Sequence, residues 1–292
     1  MAQKSSKQIA EEAVLDLKGK LRQLNKTLAG KGAVIAENAP LVATIKAAEG
    51  MESNTVKMTI FKSQQFIGYV DEAFPPMRIA SSYKEANLSY CFAQNRVLKR
   101  LPTIENIEMV VNLSSFVSGC PSLIDVSLGA LPNATNLSRV FESCSALTRA
   151  TIGDAPKVTD ASFLFSGCNK LEEVSISLSG GLLTGFAYAF FGCKSLRRVT
   201  GIIDLSATNW ANTPFWDCLS LEEVRIKGLK EDFDLSACGR LSVESVKYLV
   251  DNLQQVTGKN ITLASAWQTA HPTEARAYAQ KATAKGFALT FR

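Results

Sequence analysis

The sequence contains a single histidine in 292 residues, and none of its seven cysteines belongs to a Cys-x-x-Cys pair. Common zinc sites and thiol redox centres need several such ligands at short spacings, so both absences argue against them. The histidine, His271, stands before Pro272 at the expected start of a helix, and no serine or cysteine nucleophile motif accompanies it. We therefore assign no catalytic, cofactor-binding or metal-binding residue, and we expect a protein that is not an enzyme.

Long apolar runs are also missing. No stretch approaches the roughly 20 apolar residues of a membrane span, so we expect no membrane insertion. The polar start, Met1 to Glu12, lacks the apolar core of a secretory signal, which predicts a protein without a signal peptide that matures in the cytoplasm. The net charge is +5, from 32 basic and 27 acidic residues. This surplus is mild, and we expect no nucleic-acid partner because phosphate binding needs a basic stripe.

A short repeat dominates what is present. Between Phe92 and Ile226 one pattern returns six times: Phe, two residues, Cys, two residues, Leu, and then two apolar residues at alternate positions. The clearest copies begin at Phe141, Phe165, Phe190 and Phe215, and looser ones begin at Phe92 and Val117. One such unit can bury its apolar face only against a neighbour, so the period of 24 or 25 residues predicts a solenoid of stacked coils.

Two columns of equivalent positions describe the interior and the strand face of these coils. Five cysteines share one position, and we expect buried, reduced thiols that pack like Ala or Val, although neighbouring coils about 5 Å apart would allow a disulfide. Two residues after the repeat Leu, the charge alternates in sign from coil to coil, which predicts a self-neutralising ladder on the strand face. Its members are Arg100, Asp125, Arg149, Glu173, Arg198 and Glu223.

A third column marks a candidate binding edge. The residue after the repeat Phe is small or polar in four coils and then becomes Phe191 and Trp216. We expect this column to be exposed, so that the two aromatic residues, with Tyr188 and Trp210 nearby, bind a sugar or a protein. The alternative is that the C-terminal helices or another subunit cover them.

The segments outside the repeat complete the domain organisation. We expect residues 1–50 to form a helical oligomerisation or docking module, 51–76 a β cap, 77–228 the repeats and 229–292 C-terminal helix-and-strand cap coils. In the first helix, apolar residues at heptad spacing favour a short bundle between copies, a dimer or a trimer, over a single amphipathic helix lying on its own domain. These residues are Val14, Leu17, Leu21, Leu24 and Leu28.

The repeat resembles a known family. The stretch Val158-Thr159-Asp160-Ala161-Ser162-Phe163-Leu164-Phe165-Ser166-Gly167-Cys168-Asn169-Lys170-Leu171 is similar to the BspA-type leucine-rich repeat, which reads approximately Val-Thr-x-Met-x-x-Met-Phe-x-x-Cys-x-x-Leu. The resemblance implies an α/β leucine-rich-repeat solenoid with parallel strands, used for protein or glycan attachment on bacterial surfaces and in phage particles. It implies no catalytic residues. A second resemblance, to short N-terminal modules of tailed-phage structural proteins, lies within residues 33–51. It is carried by Ala36-Glu37-Asn38-Ala39-Pro40-Leu41-Val42 and Ile45-Lys46-Ala47-Ala48-Glu49-Gly50-Met51.

These observations favour a non-enzymatic virion appendage of a tailed phage, of fibre or tail-tip type. It would be made in the host cytoplasm, assemble with itself and with other virion proteins through residues 1–50, and present the repeats to a bacterial surface protein or glycan. A bacterial surface adhesin whose signal sequence has been removed and a cytosolic leucine-rich-repeat scaffold remain the alternatives.

Overall fold

A computed structural model of the chain describes residues 58–60, 77–79, 85–209 and 213–292. The chain divides into two compact units, Met1–Met58 with Pro75–Met77 and Thr59–Phe74 with Arg78–Arg292. The repeats lie in the second unit. The predicted heptad seam, the module of residues 33–50 and most of the predicted β cap lie outside the described residues, as does Trp210.

Short parallel strands form the regular part of the repeats. They place alternate apolar side chains inward, as Val126 and Leu128 do, and paired positions on neighbouring strands are 24 or 25 residues apart in the chain. Strands β6 to β9 form one four-stranded parallel sheet in sequence order. The strands are β1 (Met58–Ile60), β2 (Met77–Ile79), β3 (Ala86–Asn87), β4 (Ile104–Glu105), β5 (Val110–Asn112), β6 (Asp125–Leu128), β7 (Arg149–Asp154), β8 (Glu173–Ser177), β9 (Arg198–Thr200), β10 (Ile203–Asp204), β11 (Ile226–Lys227), β12 (Phe233–Leu235), β13 (Lys259–Leu263) and β14 (Phe287–Phe291).

A second hydrogen-bond ladder joins the coils on the turn side, around the repeat Phe. The N–H of Arg139 donates to the carbonyl of Ser162 at 2.9 Å, and the N–H of Phe141 donates to that of Leu164 at the same distance. Each turn contains two left-handed residues, one two positions before the repeat Phe and one two positions after it. The later position is Gly in three coils, but the earlier one never is. A non-glycine residue in this conformation costs roughly 1 kcal/mol, which the inter-coil hydrogen bonds offset.

The repeat Phe side chains stack through the interior. Phe165 is fully buried between Phe141 and Phe190, with ring centroids 5.0 Å and 5.4 Å away and nearly parallel planes. Phe215 continues the series 5.1 Å from Phe190. At the first coils the geometry differs, because Phe92 meets Phe116 edge-on at 5.4 Å.

The predicted column of buried, reduced thiols is confirmed, since all seven cysteines are buried and free. The comparison with Ala or Val was incomplete, because each repeat thiol also donates a hydrogen bond to the carbonyl of the preceding coil. The Sγ of Cys168 lies 3.0 Å from the carbonyl oxygen of Phe141, and the Sγ of Cys193 lies 3.2 Å from that of Phe165. Burial raises the pKa of Cys168 to about 12, so the thiol remains protonated at neutral pH.

One carboxylate is buried near the end of the repeats. Asp204 accepts hydrogen bonds from the backbone N–H of Ser206 at 3.0 Å and from its hydroxyl, and its Oδ2 lies 3.0 Å from the Nζ of Lys227. Burial by itself raises the pKa of Asp204. The bonds from Ser206 and Lys227 outweigh it and hold the pKa below its ordinary value. The group therefore ties two coils together as a carboxylate.

Three helices accompany the last strands: α1 (Val243–Asp251), α2 (Ser265–Ala270) and α3 (Pro272–Ala284). Ser242 caps α1 by accepting the N–H of Ser245, as predicted, whereas α2 was not predicted from the sequence. Strands β12, β13 and β14 form a parallel sheet against which α3 packs. His271 separates α2 from α3, and its ring lies 5.1 Å from that of Trp267, which gives this residue a structural place at the start of a helix.

Candidate binding surface

The predicted aromatic residues that the structure describes lie on the turn side of neighbouring coils. Phe191 is 39% exposed and Trp216 is 48% exposed, while Tyr188 is half-buried. Trp216 occupies on its coil the position that Phe191 occupies on the preceding one, and the N–H of Gly192 donates to the carbonyl of Trp216 at 2.9 Å. The expectation of exposure was wrong for the first member of the column, because Ala93 is buried.

The left-handed backbone two positions before the repeat Phe presents further rings. Phe163 and Tyr188 both occupy this position, at φ 57° and 56°, on successive coils. Their rings stack with centroids 5.1 Å apart, and Tyr188 then meets Phe191 edge-on at 5.7 Å. The three rings of Phe163, Tyr188 and Phe191 therefore contact one another in series on the turn side.

Sequence reasoning missed Phe163 and the arginine that lies over its ring. The guanidinium carbon of Arg139 lies 4.1 Å from the centroid of the Phe163 ring, and Arg139 also pairs with Glu142 at 2.6 Å. The sequence carries a signal for both in the column formed by the residue two before the repeat Phe. That column reads Tyr90, Ser115, Arg139, Phe163, Tyr188 and Thr213.

We call Arg139, Phe163, Tyr188, Phe191 and Trp216 the aromatic surface. Exposed aromatic faces can stack against the C–H groups of a sugar or against apolar side chains, and a fixed arginine adds a charged donor. Polar groups lie on the same turns, where the Nζ of Lys194 pairs with the carboxylate of Asp217 at 3.3 Å. This combination of apolar centre and polar rim is typical of protein interfaces.

The strand face carries a different pattern, and the predicted charge ladder is confirmed there. Backbone pairing sets Arg100, Asp125, Arg149, Glu173, Arg198 and Glu223 side by side in that order. Arg149 pairs with Asp125 at 3.2 Å, and Arg198 pairs with Glu173. Each exposed pair contributes at most about 1 kcal/mol, so the ladder mainly removes repulsion between coils.

The structure shows no sign of a metal site or a membrane span within the described ranges. No group of three or more His, Cys, Asp or Glu side chains there is placed to hold a metal ion. Among the helices of those ranges, none is long and apolar enough to cross a membrane.

Comparison with protein families explains the repeated turns and strands. The model of the BspA type leucine-rich repeat region, with six copies, matches residues 89–222 and 161–255, more than half of the chain. The chain belongs to the BspA-type leucine-rich repeat family. BspA-type repeats are generally non-enzymatic, and they point to protein–protein interaction or adhesion. No curated protein and no solved structure matches this leucine-rich repeat chain.

Proposed function

We propose that this BspA-type protein is an attachment subunit of a tailed-phage virion, of fibre or tail-tip type, whose repeats form a solenoid that binds the bacterial surface. The observation that carries the attachment function is the aromatic surface, where Phe191 and Trp216 remain exposed on adjacent coils of a repeat family associated with adhesion. The sequence adds the virion context, through the heptad seam and the resemblance of residues 33–51 to phage structural modules.

Attachment is proposed to proceed through stacking and burial rather than through charge. The aromatic surface holds one arginine that is already paired with Glu142, and the strand face neutralises its own charges. A bacterial glycan or surface protein would therefore gain its affinity from covering the exposed rings. Residues 1–50 would join copies of the chain, as a dimer or trimer, and connect them to other virion proteins. Several weak sites on one oligomer would then act together.

The attachment proposal is tested by measuring how the full chain binds to bacterial cells when the rings are removed. We expect Phe191→Ser combined with Trp216→Ser to weaken binding by at least about 30-fold, the loss that follows removal of one hot-spot residue. Tyr90→Ser is the matched control. Tyr90 is 51% exposed and lies two residues before Phe92, the position that Phe163 and Tyr188 occupy on later coils, but it is outside the aromatic surface. Equal binding by the double variant and the control would contradict the proposal.

The virion context needs a separate test. Mass spectrometry of purified phage particles, followed by antibody labelling in electron micrographs, should find the chain in the tail or its fibres. A bacterial surface adhesin, the alternative that adhesion by this family also allows, would instead be found on the cell envelope in the absence of phage.

A further inference from the structure

Among the described residues, the two end members of the charge ladder, Arg100 and Glu223, form no close ion pair. Its central four residues form ion pairs, Asp125 with Arg149 and Glu173 with Arg198. Within the described ranges, no oppositely charged side chain lies within 4.0 Å of Arg100 or Glu223. Both side chains are exposed on the strand face. One end of the ladder is therefore a cation and the other an anion, and among the described residues neither forms a close ion pair within its own copy.

The order of signs makes this column complementary to its own reverse. The six charges read plus, minus, plus, minus, plus, minus along the coils. If a second ladder faces the first in the opposite direction, every charge meets its opposite: Arg100 meets Glu223, Asp125 meets Arg198 and Arg149 meets Glu173. An odd number of members, or a single break in the alternation, would abolish this match.

The match selects one symmetry. A two-fold axis parallel to the strands reverses the order of the coils and keeps the ladder opposite the ladder, which gives the complementary arrangement. A two-fold axis along the stack would place each residue opposite its own copy, so that like charges would meet at all six positions. Only the first arrangement is electrostatically favourable, and a two-fold dimer is the commonest form of protein self-association.

The surroundings of the ladder allow two faces to approach. Two residues after the ladder position in each of the four central coils, an exposed side chain with a hydroxyl group lies in the same register. These residues are Ser127, Thr151, Ser175 and Thr200. The ends open into grooves, one of about 890 Å³ that includes Arg100 and one of about 670 Å³ that includes Glu223. Small side chains at these four positions let the faces approach, whereas the next member of the column is the exposed Arg225, at the groove that includes Glu223.

We infer that the strand face binds a second copy of this chain, with the two ladders antiparallel about a two-fold axis parallel to the strands. Six coils about 4.8 Å apart, each with about five residues on the strand face, cover roughly 500 Å² per copy, which is at the lower end of specific interfaces. The contact is therefore weak, polar and sensitive to salt, and it is distinct from the proposed association through residues 1–50.

The test exchanges the two end charges. Arg100→Glu and Glu223→Arg are each made alone and together in the full chain, and self-association is measured by sedimentation at about 50 mM and 500 mM salt. Each single variant creates a like-charge contact that occurs twice per dimer, so self-association should weaken at least about tenfold. The double variant restores both contacts and should associate like the original chain. Arg276→Glu, on the exposed face of α3, is the control of equal charge change.

The rescue cannot arise inside one copy. Residues 100 and 223 are five coil spacings apart, about 24 Å, which is well beyond the screening length of about 8 Å at physiological salt. A mixture of the two single variants provides a further prediction, because each is repelled by itself but complementary to the other, and the mixture should form heterodimers. The inference is overturned if the original chain shows no salt-sensitive self-association, if the single variants associate normally, or if the double variant is not rescued.

Discussion

Replacing the central ring of the phenylalanine stack should destabilise the repeats by more than the loss of buried area. Phe165→Leu keeps an apolar side chain but removes two stacked neighbours, at 5.0 Å and 5.4 Å. The altered shape costs about 1 kcal/mol, and each aromatic contact contributes about 0.5 to 1.5 kcal/mol beyond burial, which gives roughly 2 to 4 kcal/mol. Phe116→Leu is the matched control, because Phe116 is equally buried and has one edge-on ring neighbour.

A double-mutant cycle isolates the contribution of stacking. Phe165→Leu combined with Phe190→Leu should show a coupling of about 1 kcal/mol in the free energy of unfolding, obtained from urea titrations followed by ellipticity. Phe165→Leu combined with Phe92→Leu should be additive within about 0.5 kcal/mol, because two coils lie between those of the two rings. If both pairs are additive, the rings contribute only by burial and the reasoning from their geometry is refuted.

Three further outcomes follow from the interior. In the native chain all seven thiols should resist alkylation at pH 8, because burial shields them and raises the pKa of Cys168 to about 12; labelling of any one within minutes would contradict this. Asp204→Asn should destabilise the chain by about 2 kcal/mol at pH 7, because it removes the ion pair with Lys227. The pKa of Asp204 is lowered in the folded chain, so this stabilisation is present above about pH 4 and is lost as the pH falls through the folded pKa. The difference between original and variant should therefore shrink in acid. Gly201→Ala, whose Cβ would lie 2.1 Å from the carbonyl oxygen of Ile176, should destabilise by at least about 2 kcal/mol more than Gly258→Ala. Gly258 also has a positive φ, 68° against 96°, but has open space around it, so equal thermal midpoints would contradict the close approach.

The period of the sequence was sufficient to predict the core and the strand face. Because a fixed period places equivalent residues on top of one another, the positions of Cys168, Phe165 and the charge ladder followed from their spacing alone. Their burial, stacking and register agree with that reasoning. The alternation of inward and outward side chains in a strand then assigned the charges to the surface.

The sequence did not reveal what depends on backbone conformation. Nothing in the residue types of Phe163 or Tyr188 marks a left-handed position, since aromatic residues rarely adopt it, so their stacking and the place of Arg139 were missed. The thiol hydrogen bonds were missed for the same reason, because the carbonyl that each thiol reaches is oriented by the turn. Helix α2 has one buried residue, Trp267, and hence no apolar period to detect.

The attachment function is tested most directly by asking which molecule touches the aromatic surface on a living cell. A photo-reactive phenylalanine analogue placed at position 191 keeps an aromatic ring there, and the same analogue at position 90 samples an exposed turn position outside the aromatic surface. Illumination of the full chain bound to bacteria should join position 191, and not position 90, to one envelope protein or glycan. Bound protein that forms no such link at position 191, or forms the same links from both positions, would contradict attachment through these rings.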